Sequence, residues 1–376
     1  MSVAASVRSA LEPRVEELAA LVAELAGIES PTDDRAALER MAGRLLDLFA
    51  PLGAIERFPQ RDNGDHFVVR IAGRREAQPA LALCHYDTVW PLGSLREYPV
   101  TIDAGVMRGP GVFDMKGGIV CLFYALRALE GRSNRPLWVF FNSDEETGSH
   151  SSRGLIEELA RACAHALVYE SPLPAGALKT ARKGTGRYTL TIEGRAAHAG
   201  VEPEKGISAV LEAAHQTIAV HALNAPERGT TLNAGVLRGG TRSNVVAARA
   251  EIEVDVRVSS ADEAQRVDGA LRGLQPALPG ARIAVSGGLH RPPMERSPAT
   301  AALFARARAI AAEMGVELGE GATGGGSDGN FTAALGLGTL DGLGPEGRGA
   351  HAADEQLLVE SLPRRAALSA GLLATL

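Results

Sequence analysis

The sequence is short of cysteine, of long apolar runs and of basic excess, and each shortage closes off a class of protein. Its three cysteines, Cys84, Cys121 and Cys163, are odd in number and widely spaced, with no C-x-x-C pair. They read as reduced, small core residues and not as a disulfide framework. Nowhere do about 18 uninterrupted apolar residues occur, the length a spanning helix needs, so no membrane partner is expected. Residues 1–16 carry charges and a proline but no apolar core of the signal-peptide kind, and a soluble, cytoplasmic protein is the expectation. Lys plus Arg number 39 against 45 Asp plus Glu, a formal charge of −6. With no basic run or stripe, no nucleic-acid partner is expected. Internal repeats, a P-loop and an H-E-x-x-H motif are missing as well.

What is present is ordinary globular composition, 45% hydrophobic and 22% charged, in a chain of 376 residues. That length exceeds a typical single core, so two domains are expected. Apolar residues at three-to-four spacing predict amphipathic helices over 15–25 and 35–49. Strands at 67–71, 80–83, from 137 and at 166–169 then alternate with helices over 119–129 and 152–163, the order of a layered α/β domain. After Pro172 and Pro174 the character changes. Strand-like segments at 186–193, 231–237, 246–258 and 282–285, with helices over 207–223 and 261–274, fall in the order β-α-β-β-α-β of a small two-layer unit. The α/β style returns with helices over 299–314 and 361–373. The expected fold class is α/β: a larger layered domain, residues 1–177 and 289–376, interrupted by an inserted smaller two-layer domain, residues 178–288.

The densest chemical signal is residues 137–148, Leu-Trp-Val-Phe-Phe-Asn-Ser-Asp-Glu-Glu-Thr-Gly. Its first half is apolar, β-branched and aromatic and predicts a buried strand. Its second half sets Asp144, Glu145 and Glu146 where that strand must stop. Three adjacent carboxylates repel one another and cost stability unless protons or cations hold them. A helix N-terminus accounts for one or two acids there, not for three. Other acids and imidazoles share the setting. His85 and Asp87 follow a strand, Asp114 ends a Gly-rich loop that starts a helix, Glu170 follows a strand, and His351 lies in Gly-Ala-His-Ala. In an open α/β sheet the C-terminal strand ends converge on one crevice. Imidazoles and carboxylates without thiolates suit Zn2+, or Mn2+ and Co2+, in a catalytic site. A bridging carboxylate there can hold two metals about 3.5–4 Å apart. Each residue has an ordinary alternative: His85 a structural histidine, Asp87 a turn residue, Asp114 a helix cap, Glu170 an exposed strand end, His351 a loop residue. Their joint placement at element ends, beside the acid triplet, favours the metal reading.

The series His85-Tyr86-Asp87-Thr88-Val89, residues 109–118, Asp144-Glu145-Glu146-Thr147-Gly148, Glu170 and Gly349-Ala350-His351 resembles the co-catalytic zinc metallopeptidases. That family includes glutamate carboxypeptidases, aminoacylases, acetylornithine deacetylases and succinyl-diaminopimelate desuccinylases. The resemblance spans nearly the whole chain and is closest in pattern to the glutamate carboxypeptidase branch. It implies two Zn2+ per subunit on His85, Asp114, Glu146, Glu170 and His351, with Asp114 bridging. It implies that Asp87 orients His85 through the other ring nitrogen and that Glu145 is general base for a metal-bridged water. A cis Asp114–Met115 peptide is implied too, as is a homodimer through the inserted domain, which would act as a lid and dimerisation domain. His198, in Gly-Arg-Ala-Ala-His-Ala-Gly, matches the histidine that in relatives reaches the partner subunit's active site, where it would stabilise an oxyanion; a helix cap is the alternative. Asn244, Arg291 and the glycines Gly325 and Gly326 match positions that hold a substrate carboxylate, which an Arg fork and backbone amides suit. A surface arginine and a glycine turn are the alternatives. Asp144 is left without a role.

The implied activity is hydrolysis of an amide bond next to a free carboxylate in a small peptide; an N-acyl-amino-acid deacylase is the alternative. Two further readings stand beside it. Ser327 in Gly-Gly-Ser-Asp-Gly fits G-x-S-x-G, although a glycine-rich loop and not a core strand precedes it. A non-catalytic metal or small-ligand binding protein is the other, against which Glu145 beside an intact ligand series argues.

Overall fold

The strand Leu137–Asn142 shows why the larger part of the chain folds around one sheet. Alternate residues of a strand face opposite sides. Leu137, Val139 and Phe141 enter one apolar cluster, Phe140 enters another on the opposite face, and all four are fully buried. A strand covered on both faces has to be apolar throughout. In the computed structural model, which describes residues 1–130 and 133–376, its sheet has six strands in the order Ala54–Phe58, His66–Ile71, Leu137–Asn142, Ala80–His85, His165–Val168 and Thr339–Leu340. The first three pair antiparallel, and from Leu137–Asn142 onward the pairing is parallel. Helices Val15–Ala26, Arg35–Phe49, Gly117–Ala128 and Ser361–Thr375 cover one face, where the Phe141 ring meets Phe67 at 4.8 Å and Phe49 at 5.0 Å. Arg153–Ala162 and Gly329–Ala334 cover the other.

The register brings the parallel strand ends level. His85 lies opposite Asn142, and Leu83 opposite Val168. The segments leaving those strands carry Asp87, the acid triplet and Glu170. A second, four-stranded antiparallel sheet, Gly347–Arg348, Gln356–Leu358, Val106–Arg108 and Thr101–Asp103, sets Gln356 opposite Arg108. It places the hairpin loop that carries His351 beside the segment that runs into Asp114.

This larger unit comprises Met1–Ala181, Arg296–Thr323 and Ser327–Leu376, and the smaller one Arg182–Glu295 with Gly324–Gly326. The division falls a few residues beyond 178 and 288, because Arg282–Arg291 pairs along its length with Gly184–Glu193. The smaller unit is an antiparallel sheet ordered Thr231–Gly239, Arg249–Val258, Gly184–Glu193 and Arg282–Arg291, with helices Ala209–His221 and Ala261–Arg272. Ile252, Val254, Val256 and Val258 are buried with Val267 and Leu271 of the second helix, while the intervening Glu251, Glu253, Asp255 and Arg257 turn outward. That is the period-2 signature of a sheet covered on one face.

Several elements escaped the sequence pattern: the helices Val3–Leu11 and Gly329–Ala334, the partly exposed strand Ala54–Phe58, the short strand Thr339–Leu340, the strand pair Leu178–Arg182 and Glu320–Thr323, and the whole second sheet. The second sheet's strands are two or three residues long, too short to show a period. The strand expected from 246 begins at Arg249. Among the described residues no helix is long and apolar enough to cross a membrane.

Candidate metal centre

Asp114 stands between two imidazoles. Its Oδ1 lies 3.3 Å from His85 Nε2 and its Oδ2 lies 3.2 Å from His351 Nε2. His85 Nε2 is also 3.4 Å from Glu170 Oε1, and His351 Nε2 is 3.0 Å from Glu146 Oε2. All five residues expected as ligands therefore meet, as two imidazole–carboxylate pairs sharing one aspartate. Donor atoms of His85, Asp114 and Glu146 lie within 4.8 Å of one another, as do those of His85, Glu145 and Glu170. Glu145 thus lies beside the His85–Glu170 pair while its neighbour faces His351. His85 is buried and His351 half exposed, with φ +65°. A non-glycine residue held in that left-handed region marks a constrained loop. The Asp114–Met115 peptide is cis.

Asp87 does more than orient a ring. His85 Nδ1 lies 3.0 Å from the Asp87 carbonyl oxygen and 3.4 Å from its Oδ1. The carboxylate itself accepts the backbone N–H groups of Glu145 at 3.3 Å and Glu146 at 3.1 Å, and the Thr32 hydroxyl at 2.8 Å. It therefore pins the turn that carries both glutamates. Asp144 now has a role as well. Its Oδ2 accepts Ser151 N and Ser151 Oγ at 2.7 and 2.8 Å, and its Oδ1 accepts Ser152 Oγ at 2.6 Å. Asp328 accepts from Asn142 Nδ2 at 2.8 Å and from the Ser149 hydroxyl, bracing the same turn. Sequence reasoning missed Thr32 as a support, and also Glu355, whose carboxylate holds the backbone before Asp114. The available signal for Glu355 was an acid four residues after His351.

The electrostatics show what the cluster requires. Burial alone would raise Asp114, but the hydrogen bonds to His351 and His85 bring it well below the usual carboxylate range. Burial lifts Glu146 to about 7 against the pull of His351. His351 is raised to about 11 by Asp114 and Glu146. Burial would lower His85, yet Asp114, Asp87 and Glu170 hold it well above the ordinary value. Protons on the two imidazoles thus supply the positive charge that these acids need, and a cation could take their place. Glu146 Oε1 is buried with no hydrogen-bond partner in the structure. Uncompensated burial of a carboxylate oxygen is costly, so the donor set and this orphaned atom both fit metal ions.

The remaining expected residues lie in the smaller unit. His198 is exposed; its Nδ1 accepts Gly200 N at 3.1 Å, which leaves the proton of the neutral ring on Nε2. Asn244 is also exposed and is adjacent to it, its carbonyl accepting Ala199 N at 3.0 Å. Arg291 is buried at the end of its strand, opposite Thr185. The carbonyls of Gly325 and Gly326 accept Arg182 Nη1 at 3.2 and 3.0 Å. Ser327, in the larger unit, is fully buried and donates its hydroxyl to Asp341 Oδ2 at 2.6 Å. A hydroxyl committed in this way has no access to a substrate, which removes the serine-nucleophile reading.

Fold and site together describe a layered α/β protein with a carboxylate–imidazole cluster that could hold metal ions. The profile of peptidase family M20/M25/M40 matches residues 81–375, and the chain belongs to that family of metal-dependent hydrolases. It is similar to Carboxypeptidase G2 of Pseudomonas sp. (strain RS-16), with 31% identity over 325 residues that make up 83% of this chain and 77% of that protein. Its fold is that of aminopeptidase PepT from Bacillus cereus, at TM-score 0.79 and 24% identity, covering 96% of this chain and 98% of the other. It is also that of the Bacillus subtilis YXEP protein, described as a dinuclear metal binding peptidase, at TM-score 0.68 and 17% identity, covering 97% and 98%.

Proposed function

We propose that the protein is a two-zinc hydrolase that cleaves an amide bond next to a free carboxylate, of the glutamate carboxypeptidase kind. The observation that carries this reading is Asp114 between two imidazole–carboxylate pairs, with Glu145 beside one of them. The similarity to Carboxypeptidase G2 and the dinuclear description of the YXEP protein support it. His85, Glu170, Glu146 and His351 would hold the ions and Asp114 would bridge them. Bound there, the ions supply Lewis acidity and make water easier to deprotonate. The chain does the rest. Asp87 fixes the Glu145 and Glu146 amides, so the base and its neighbour keep one geometry. Glu145 takes a proton from water as its oxygen adds to the amide carbon, and returns the proton to the departing nitrogen as the C–N bond breaks.

On the substrate side, Asn244, Arg291 and the amides of Gly325 and Gly326 are proposed for the free carboxylate and His198 for the oxyanion, on the strength of the motif resemblance. A homodimer through the smaller unit belongs to the same reading. Exposed Leu211 and Ile218 on helix Ala209–His221 and Leu237 on the edge strand Thr231–Gly239 support it. A cytoplasmic location completes the reading. The test is a screen of C-terminal-glutamate peptides, folyl-type conjugates and N-acyl amino acids on zinc-loaded protein with a chelated control. Turnover of acyl amino acids alone would move the assignment to a deacylase. Glu145→Gln is expected to fold and keep its metal while losing about 10²–10⁴-fold in kcat; retained turnover in that variant rules out the base.

A further inference from the structure

We infer that Glu355 is a positioning residue that locks the Asp114 turn and the His351 loop into one ligand set. The inference rests on the metal reading of that site. Glu355 is buried, at 2% exposure. Its Oε1 accepts Phe113 N at 3.0 Å and Asp114 N at 3.1 Å, and its Oε2 accepts Gly111 N at 3.0 Å and the Trp90 indole N–H at 2.8 Å. A carboxylate has about four acceptor sites, and here all of them are taken. The backbone of the same residue adds two bonds. Its carbonyl accepts Gly109 N at 3.3 Å, and its N–H donates to Ala352 O at 2.9 Å, closing the loop that carries His351.

One side chain thus ties together three segments that are remote in sequence. The first is the turn from Gly109 to Asp114. The second is the loop from Gly349 to Glu355, with His351 at its left-handed position. The third is the segment that follows His85 and Asp87 and contains Trp90. The bonds of Glu355 go to backbone groups and the Trp90 indole, not to a ligating side-chain atom; it acts through the amides that set where Asp114 begins and through the loop that sets His351. Outer partners of this kind commonly govern metal affinity.

The two halves of the site depend on it unequally. His85 ends a core strand, and Glu170 follows another strand of the same sheet. Their placement is built into the sheet. His351 hangs on a hairpin loop with strands of two and three residues. The ion held on the His351 side is therefore the one that Glu355 controls.

The experiment is zinc titration of the full chain against a chromophoric chelator, with circular dichroism to establish folding. Glu355→Gln keeps the size of the side chain, but whichever way the amide turns, its NH2 faces two of the four donors. The wild type is expected to bind two ions. The variant is expected to fold and bind the first ion nearly as well, while the second weakens by about 10–100-fold. Trp90→Phe, which deletes one of the four bonds, is expected to weaken the second ion several-fold and carries the test if Glu355→Gln does not fold. Two ions bound by the variants with wild-type affinities would overturn the inference, as would an equal weakening of both. A wild type that binds no zinc would overturn the metal reading itself, a separate result from an insensitive Glu355.

Discussion

Gly118→Ala sets helix propensity against packing, and the structure says which wins. Gly118 lies in the first turn of helix Gly117–Ala128, where a Cβ would sit 1.8 Å from the Tyr169 carbonyl oxygen and 3.0 Å from its carbon. Close carbon–oxygen contacts run about 3.3–3.6 Å, so one backbone must retreat by roughly 1.5 Å. Neither yields readily. Tyr169 is fully buried and its N–H is bonded to Leu83 O at 3.1 Å. Alanine would gain about 1 kcal/mol in helix propensity, whereas overpacking a fixed core costs about 1–3 kcal/mol and occasionally more. A displacement this large belongs at the upper end, so the net expectation is a loss of about 2 kcal/mol. Gly43→Ala is the control. Gly43 lies inside helix Arg35–Phe49 with nothing within 4 Å of its Cβ position, so only the propensity gain of about 1 kcal/mol applies. Both tryptophans, Trp90 and Trp138, are in the larger unit, and their fluorescence reports its unfolding in urea. With a slope of about 3 kcal/mol/M, the midpoint should fall by about 0.7 M in the first variant and rise by about 0.3 M in the second. Gly118→Ala unfolding at or above the wild-type midpoint would refute the steric argument. The same displacement reaches Glu170, next to Tyr169, so zinc affinity should fall together with stability.

Metal removal and acid provide two further tests. Zinc at about 100 times its dissociation constant should stabilise the larger unit by about 2.7 kcal/mol per site. The urea midpoint of chelated protein should therefore lie well below that of the loaded form, and equal midpoints would contradict a metal centre. His165 is buried, its Nε2 without a partner in the structure, and burial followed by the Arg135 charge pushes it down to about 4. Its folded value is below the unfolded value of about 6.5, so the unfolded chain binds the extra proton. Its full contribution to stability is present above that value and is lost as pH falls from about 6.5 towards 4, by about 3 kcal/mol. Burial shifts His66 in the same direction. His165→Leu should flatten the pH dependence of metal-free protein between pH 7.5 and 4.5; an unchanged difference in urea midpoint between the two pH values would show that His165 does not titrate there.

The parts of the site that were legible in the sequence are those the core sheet places. His85, the acid triplet and Glu170 all follow apolar runs, and parallel strands carry their successors to one edge of the sheet. The His351 side is different. It is set by strands Gly347–Arg348, Gln356–Leu358 and Val106–Arg108, whose two- and three-residue lengths carry no periodic signal. Glu355 could be seen as an acid near His351, but its partners were hidden for a related reason: Gly111, Phe113 and Asp114 are more than 240 residues away along the chain. Asp87 could be seen as a neighbour of His85, but not as the acceptor for two amides that lie 58 and 59 residues further on.

The crowding of Asp144, Glu145 and Glu146 is resolved by the backbone at the end of strand Leu137–Asn142. Asp144, just past the strand, lies outside both extended and helical space, at φ −140° and ψ 21°, and its carboxylate reaches forward to the serines at 151 and 152. Glu145–Thr147 then forms a single 3-10 turn. Successive side chains on such a turn diverge by about 120°. Glu146 consequently meets His351, while Glu145 comes within reach of His85 and Glu170. A regular strand would have sent the two glutamates to opposite faces of the sheet, and only one of them could have entered the site. The tight turn lets adjacent residues serve opposite halves of one centre, and the Asp87 carboxylate, bonded to both of their amides, keeps the turn from relaxing under their mutual repulsion.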